Sequence, residues 1–171
     1  MLIYLAVACA AVALLVVAAG LAGARFNVTP SLPLGVYWKI DAPLERDAYV
    51  RFCPPTIPLI AEAKKRGYID GGYCPGDYTP LMKRVAALGG DVVEFREDGV
   101  VVNGRLLARS APKSADPSGR PLPRLRGRVV VGPAQLLMMS SYNAGSFDGR
   151  YFGLVERSQV KDVVHPVLTW P

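Results

Sequence analysis

Histidine is almost missing from this 171-residue chain: His165, beside Pro166 near the C-terminus, stands alone. Histidine-rich metal sites are improbable, and without a partner motif His165 reads as a surface or packing residue rather than a catalytic one. Cysteine is scarce too. Of the three, Cys9 lies inside an apolar run, so Cys53 and Cys74 do not complete a closed zinc site with one imidazole. No metal and no cofactor are expected. Charged residues make up only 20% of the chain and apolar residues 51%, a balance that excludes a disordered polyelectrolyte. The 17 Gly and 15 Pro show no period, which excludes collagen, and the length suits one folded domain rather than two.

Charge is wholly absent from residues 2–24. An apolar run of that length makes a helix of about 34 Å, enough to cross a bilayer. Ala22 and Ala24 give an A-x-A pattern, but the basic leading region of a cleaved secretory signal is lacking and the run is longer than such a signal needs. The expectation is a retained transmembrane anchor over residues 1–25 and one domain over residues 26–171. With no Lys or Arg before the span, charge asymmetry says little about its orientation.

The net charge of +6 has an address. Residues 105–128 hold seven cations (Arg105, Arg109, Lys113, Arg120, Arg124, Arg126 and Arg128) against one acid, Asp116, in a stretch broken by four prolines. This reads as a cationic loop that is either simply solvated or attracted to anionic headgroups or an acidic partner. Nucleic acid ranks lower and is not expected as a partner, because no aromatic residue lies within the stretch to stack on bases and no helix-turn-helix or zinc-finger spacing accompanies the charge. Cys53 and Cys74 bracket a segment with Pro58 at the start of a helical pattern and Gly67 at its end. A disulfide there would point to an oxidising compartment such as a periplasm; two reduced, buried thiols are the alternative.

Beyond residue 26 the pattern becomes short β-branched runs punctuated by turn dipeptides, among them Asp98-Gly99 and Asn103-Gly104. Strands are predicted near 35–40, 48–53, 80–87, 91–96, 100–103, 129–131, 135–140 and 159–164. The fold class is mainly β, an antiparallel domain with a short helical insertion.

Three segments could carry chemistry. Ser31 sits between Pro30 and Pro33 on a stiffened turn, close enough to the span that any reaction there happens near the bilayer surface. Lys83 shares a strand face with Leu81 and Val85; desolvation, helped by the adjacent Arg84, would favour a neutral form that can act as a general base, and a strand lysine snorkelling to solvent is the alternative. In the third segment Ser146, Asp148 and Arg150 alternate, which suits a local ion pair beside a hydroxyl able to orient an amine.

Taken in order, Thr29-Pro30-Ser31-Leu32-Pro33, Leu81-Met82-Lys83-Arg84-Val85 with Gly89-Gly90-Asp91, and Ser146-Phe147-Asp148-Gly149-Arg150-Tyr151-Phe152-Gly153 resemble the boxes of the type I signal peptidase family of serine-lysine proteases. The Cys53-Pro54 and Cys74-Pro75 pairs are similar to its conjugative-transfer branch, the TraF-type peptidases. Leu32 replaces the usual Met, Gly89 a proline and Gly149 a serine. The resemblance implies Ser31 as nucleophile and Lys83 as general base. It also implies an oxyanion hole from Thr29 and the Ser31 N–H, Ser146 orienting Lys83, and Asp148 with Arg150 in support. It further implies a signal-peptidase-like domain on the periplasmic side of a bacterial inner membrane, with membrane lipids and a pilin or secretory precursor as partners. Pilin maturation in conjugation, with cyclisation in some members, is the implied task. An anchored scaffold of a secretion or pilus-assembly apparatus, docking through residues 105–128, is the alternative.

Overall fold

The computed structural model describes residues 1–170. The chain begins with α1 (Leu2–Ala22), whose unbroken Ala, Leu and Val content gives no polar face, and none of its residues is buried against the rest of the protein. Gly23, at φ 125°, stops the helix and returns its N–H to the carbonyls of Ala19 and Gly20. No loop follows. β1 (Ala24–Asn27) starts at the next residue and pairs antiparallel with β2 (Leu34–Ile40).

The remaining elements are β3 (Tyr49–Phe52), α2 (Pro58–Lys65), β4 (Leu81–Ala87), β5 (Val92–Phe95), β6 (Val100–Val102), β7 (Arg105–Leu106), β8 (Gly127–Val130), β9 (Gln135–Met139), α3 (Gly149–Phe152), β10 (Leu154–Glu156) and β11 (Val160–Trp170). They form a seven-stranded sheet in the order β1-β2-β11-β3-β4-β9-β10 and a four-stranded sheet in the order β7-β6-β5-β8, and every strand pairing is antiparallel. The mainly β class expected from the sequence is the class observed.

One core lies where Val50, Phe52, Val85 and Met138 of the large sheet meet Ile60 and Ala63 of α2 and Phe152 of α3. A second joins the sheets through Ala87, Leu137 and Met139 on one side and Val93, Val100 and Val102 on the other. The register of β4 on β9 shifts between Val85 and Ala87, and the residues on either side of that irregularity pack into different cores. α2 begins with Pro58 in its first turn and ends before Gly67, which is at φ 77°. Cys53 and Cys74 are joined as a disulfide across this excursion.

The sequence-based strands coincide with observed ones within a residue or two, except that β11 continues to Trp170 past a register shift at Pro166. β1, β7, β10 and the single turn of α3 were not anticipated. The cationic stretch 105–128 is also less free than its composition suggests. Arg120 pairs with Asp116, Arg126 with Glu97, and Arg109 donates to the Tyr142 carbonyl. Asp116 further accepts from Tyr68 and from the backbone of Ser118 and Arg120; burial alone would raise its carboxyl, but those donors hold it far below the usual range.

Candidate active site

The turn between β1 and β2 is built around one side chain. Asn27, the last residue of β1, is buried, and its Nδ2 donates to the carbonyls of Thr29, Leu32 and Pro33, each at 3.0 Å. Its Oδ1 accepts from the Thr29 hydroxyl at 3.2 Å, and Thr29 Oγ1 lies 3.1 Å from Ser31 Oγ. The Tyr37 hydroxyl holds the Pro33 carbonyl at 2.8 Å. Gly35 permits the return into β2: at φ 141°, a Cβ there would stand 2.1 Å from the Leu168 carbonyl oxygen. Ser31 therefore presents its hydroxyl from a turn whose carbonyls are largely claimed, and its own N–H donates to no group among the described residues.

Lys83 comes from the middle of β4, opposite Val50, and only 3% of it is exposed. Burial pushes its amine from the ordinary 10.5 to about 8; the Asp148 carboxylate opposes that shift and the Arg150 guanidinium assists it. Arg84, expected from the sequence to help, does not contribute. On the opposite strand face, its Nη2 lies 2.8 Å from Asp47, its Nη1 donates to Ser141 Oγ at 2.9 Å, and its guanidinium lies over the Tyr49 ring.

Ser31 and Lys83, 52 positions apart in the chain, line the same cleft, a cavity of about 270 Å³ that they share with Thr29, Arg51, Tyr68 and Phe147. No hydrogen bond joins Ser31 to Lys83 among the described residues. Ser146 is buried, and its hydroxyl has no partner, Lys83 included. The neighbouring Phe147 ring packs 5.5 Å from Tyr68, 5.6 Å from Tyr151 and 5.8 Å from Phe152, which fixes the segment carrying Ser146 against the cleft wall.

Asp148 and Arg150 form a fully buried bidentate pair at 2.7 and 2.9 Å. Arg150 Nη1 donates to the carbonyls of Arg109 and Ala144 at 2.9 Å each, binding the cationic stretch to the third segment. Asp148 Oδ2 accepts the Ser140 N–H at 3.0 Å, and Ser140 Oγ donates to the Ser31 carbonyl at 2.5 Å. Ser140 thus links the Asp148–Arg150 pair to the turn that carries Ser31. Sequence reasoning assigned no role to Asn27 or Ser140. The available signal was positional: each is a small polar residue at a strand end a few residues before one of the boxes. Among the described residues no cluster of His, Cys, Asp and Glu is arranged to hold a metal ion.

In comparisons with known proteins, the family model described as Signal peptidase, peptidase S26 matches residues 1–169. The plasmid transfer protein TraF of Escherichia coli is 55% identical over 168 residues, covering 98% of this chain and 95% of that protein. The conjugal transfer protein TraF of Agrobacterium tumefaciens is 40% identical over 172 residues, covering 99% and 96%. A solved signal peptidase I from Enterococcus faecalis overlaps 72% of this chain and 97% of its own with 20% identity and a TM-score of 0.40.

Proposed function

Because the chain belongs to the signal peptidase family, peptidase S26, we propose that it is a membrane-anchored serine endopeptidase that cleaves precursor proteins with a Ser31–Lys83 dyad. The observation that carries this reading is one cleft lined by both a turn-borne hydroxyl and a strand-borne amine held near pKa 8 by burial. With that value about one amine in ten is neutral at pH 7, which suffices for a general base.

In the reaction, neutral Lys83 Nζ takes the proton of Ser31 Oγ as that oxygen attacks the scissile carbonyl. The oxyanion is held by the Ser31 N–H and by the Thr29 hydroxyl, which turns its one proton away from Asn27 Oδ1 to do so. The protonated amine of Lys83 then gives its proton to the departing nitrogen, leaving an acyl-enzyme on Ser31. Water, activated by neutral Lys83, releases an acid; a substrate amine in the same place closes a new peptide bond instead. The Ser146 hydroxyl, buried and unpaired next in sequence to the cleft-lining Phe147, is assigned to orient the amine, and Asp148 with Arg150 keeps the surrounding loops in register.

The substrate class is a membrane-inserted secretory or pilin precursor, and the conjugative setting is supported by the full-length likeness to plasmid and conjugal transfer proteins. The single apolar span fits an inner-membrane protein, and the Cys53–Cys74 disulfide supports a periplasmic domain. Ser31→Ala and Lys83→Ala should each abolish processing of a co-expressed precursor while circular dichroism and thermal unfolding still report a folded chain. Processing that continues in either variant overturns the dyad.

A further inference from the structure

α1 ends at Ala22, and the Gly23 carbonyl accepts the Lys39 N–H at 2.8 Å, so Lys39 and its neighbour Trp38 lie level with the end of the span. Arg25, one residue into β1, donates from Nη1 back to the Gly20 carbonyl at 2.8 Å and from Nε to Asp162 Oδ2 at 3.1 Å. Arg51 reaches the same carboxylate oxygen, at 2.8 Å from Nε and 2.5 Å from Nη2, and Lys39 Nζ stands 3.6 Å from the other. Strand register supports the grouping, with Arg51 opposite Asp162 on β3 and β11, and Lys39 opposite Val164 two residues further along β11.

Three cations around one carboxylate leave a surplus of two positive charges. That carboxylate is nearly sequestered, at 5% side-chain exposure, whereas the Lys39 side chain is 54% exposed. Arg25 Nη2 and Arg51 Nη1 find no acceptor among the described residues. Trp38 is part-exposed, with its indole against Gly23, the placement a tryptophan takes at headgroup depth. Free N–H groups and surplus charge at that depth call for an anion with several acceptor oxygens, and a phosphodiester supplies them.

We propose that Arg25, Lys39 and Arg51, gathered by Asp162, form a site for the phosphodiester of an anionic lipid headgroup at the mouth of the cleft. This rests on the reading of α1 as a membrane anchor. Because Arg51 also lines the cleft with Ser31 and Lys83, an occupied site holds the catalytic opening at the level of the headgroups, where a membrane-inserted precursor leaves the bilayer. Lys39 is the residue to change, since it belongs neither to the dyad nor to the cap of α1.

The experiment uses the full chain in two arms. Reconstitution into vesicles followed by an alkaline wash reports the anchor; recovery in the supernatant would sink that reading. Purification from neutral detergent supplemented with phosphatidylglycerol or phosphatidylcholine reports the site through the lipid retained. Phosphatidylglycerol should be retained in preference to phosphatidylcholine. Lys39→Gln should lower that retention about fivefold, the equivalent of about 1 kcal/mol for one interfacial cation, and Lys39→Arg should preserve it. Lys65→Gln, which removes an equal charge from the exposed end of α2, should change nothing. Equal loss from Lys39→Gln and Lys65→Gln, no loss from Lys39→Gln, or equal retention of the two lipids overturns the site.

Discussion

At the scale of the residue, the role proposed for Lys83 works against stability. Its amine is held near pKa 8, while the same group in the unfolded chain titrates near 10.5. Between those two values the unfolded chain binds more protons than the folded one, so stability rises with pH across that window. Below about pH 8 the whole penalty is present, at most about 3 kcal/mol from the size of the shift. Lys83→Met should therefore be inactive yet more stable than the parent at pH 7. Its advantage should shrink between about pH 8 and about pH 10.5, as urea denaturation at a series of pH values would show. A constant difference across the series would place the cause elsewhere. The same titration predicts that kcat/KM of the parent rises with pH below about 8 and levels off above it. Ser31, Lys83, Ser146, Asp148 and Arg150 stood out through three ordered boxes that resemble a family's motifs. The structure brings Ser31 and Lys83 to one cleft and pairs Asp148 with Arg150, while the Ser146 hydroxyl has no partner. Asn27 and Ser140 did not stand out, because their work is to hold carbonyls, and a sequence does not say which carbonyls come within reach. Ser140 acts on Ser31 across 109 positions. Arg84 misled for a related reason: adjacency along a strand places a charge on the opposite face.

At the scale of the element, the excursion between Cys53 and Cys74 is what gives the cleft one of its walls. It carries α2 and then Tyr68, Ile69 and Tyr73, all of which line the cleft, and its ends are tied by the disulfide. Cross-linking two positions 21 residues apart restricts the unfolded chain by about 3 kcal/mol in the loop-entropy account. Reduction, or the double change Cys53→Ala with Cys74→Ala, should lower stability by about that amount. It should also raise KM more than it lowers kcat, because the wall loosens while Ser31 and Lys83 remain on β-sheet supports. Denaturation with and without reductant, alongside peptide-cleavage kinetics, checks both parts; an unchanged KM would detach the excursion from substrate binding. The helix of this excursion and most strands were readable from Pro58, Gly67 and runs such as those around Val92 and Val100. β1 was hidden because Ala24-Arg25-Phe26-Asn27 has no β-branched run and follows directly on a helix, and the far half of β11 because Pro166 reads as a stop. Pro166 is accommodated by the register shift beside it.

At the scale of the whole molecule, the chain divides into a span that contributes nothing to the core and a β domain that contains all of it. No residue of α1 is buried, and its last turn is connected to the domain through Gly23, against which the Trp38 indole packs, through Arg25 and through the Lys39 backbone. Removing residues 1–22 therefore takes away little packed surface, namely half-buried Ala19 and Gly20 and the Arg25 bond to the Gly20 carbonyl, and the shortened chain should unfold within a few degrees of the full chain held in detergent. Loss of the span costs position instead. A soluble peptide reaches Ser31 and Lys83 from any direction, so its kcat/KM should survive the truncation. A precursor embedded in a bilayer meets the cleft only if both are held at one surface, and its processing should fall by orders of magnitude, as lost effective concentration requires. Comparing the two substrates on vesicles separates these effects. Equal loss on both would mean that α1 shapes the domain itself, and equal retention would mean that the cleft finds its precursor without the anchor.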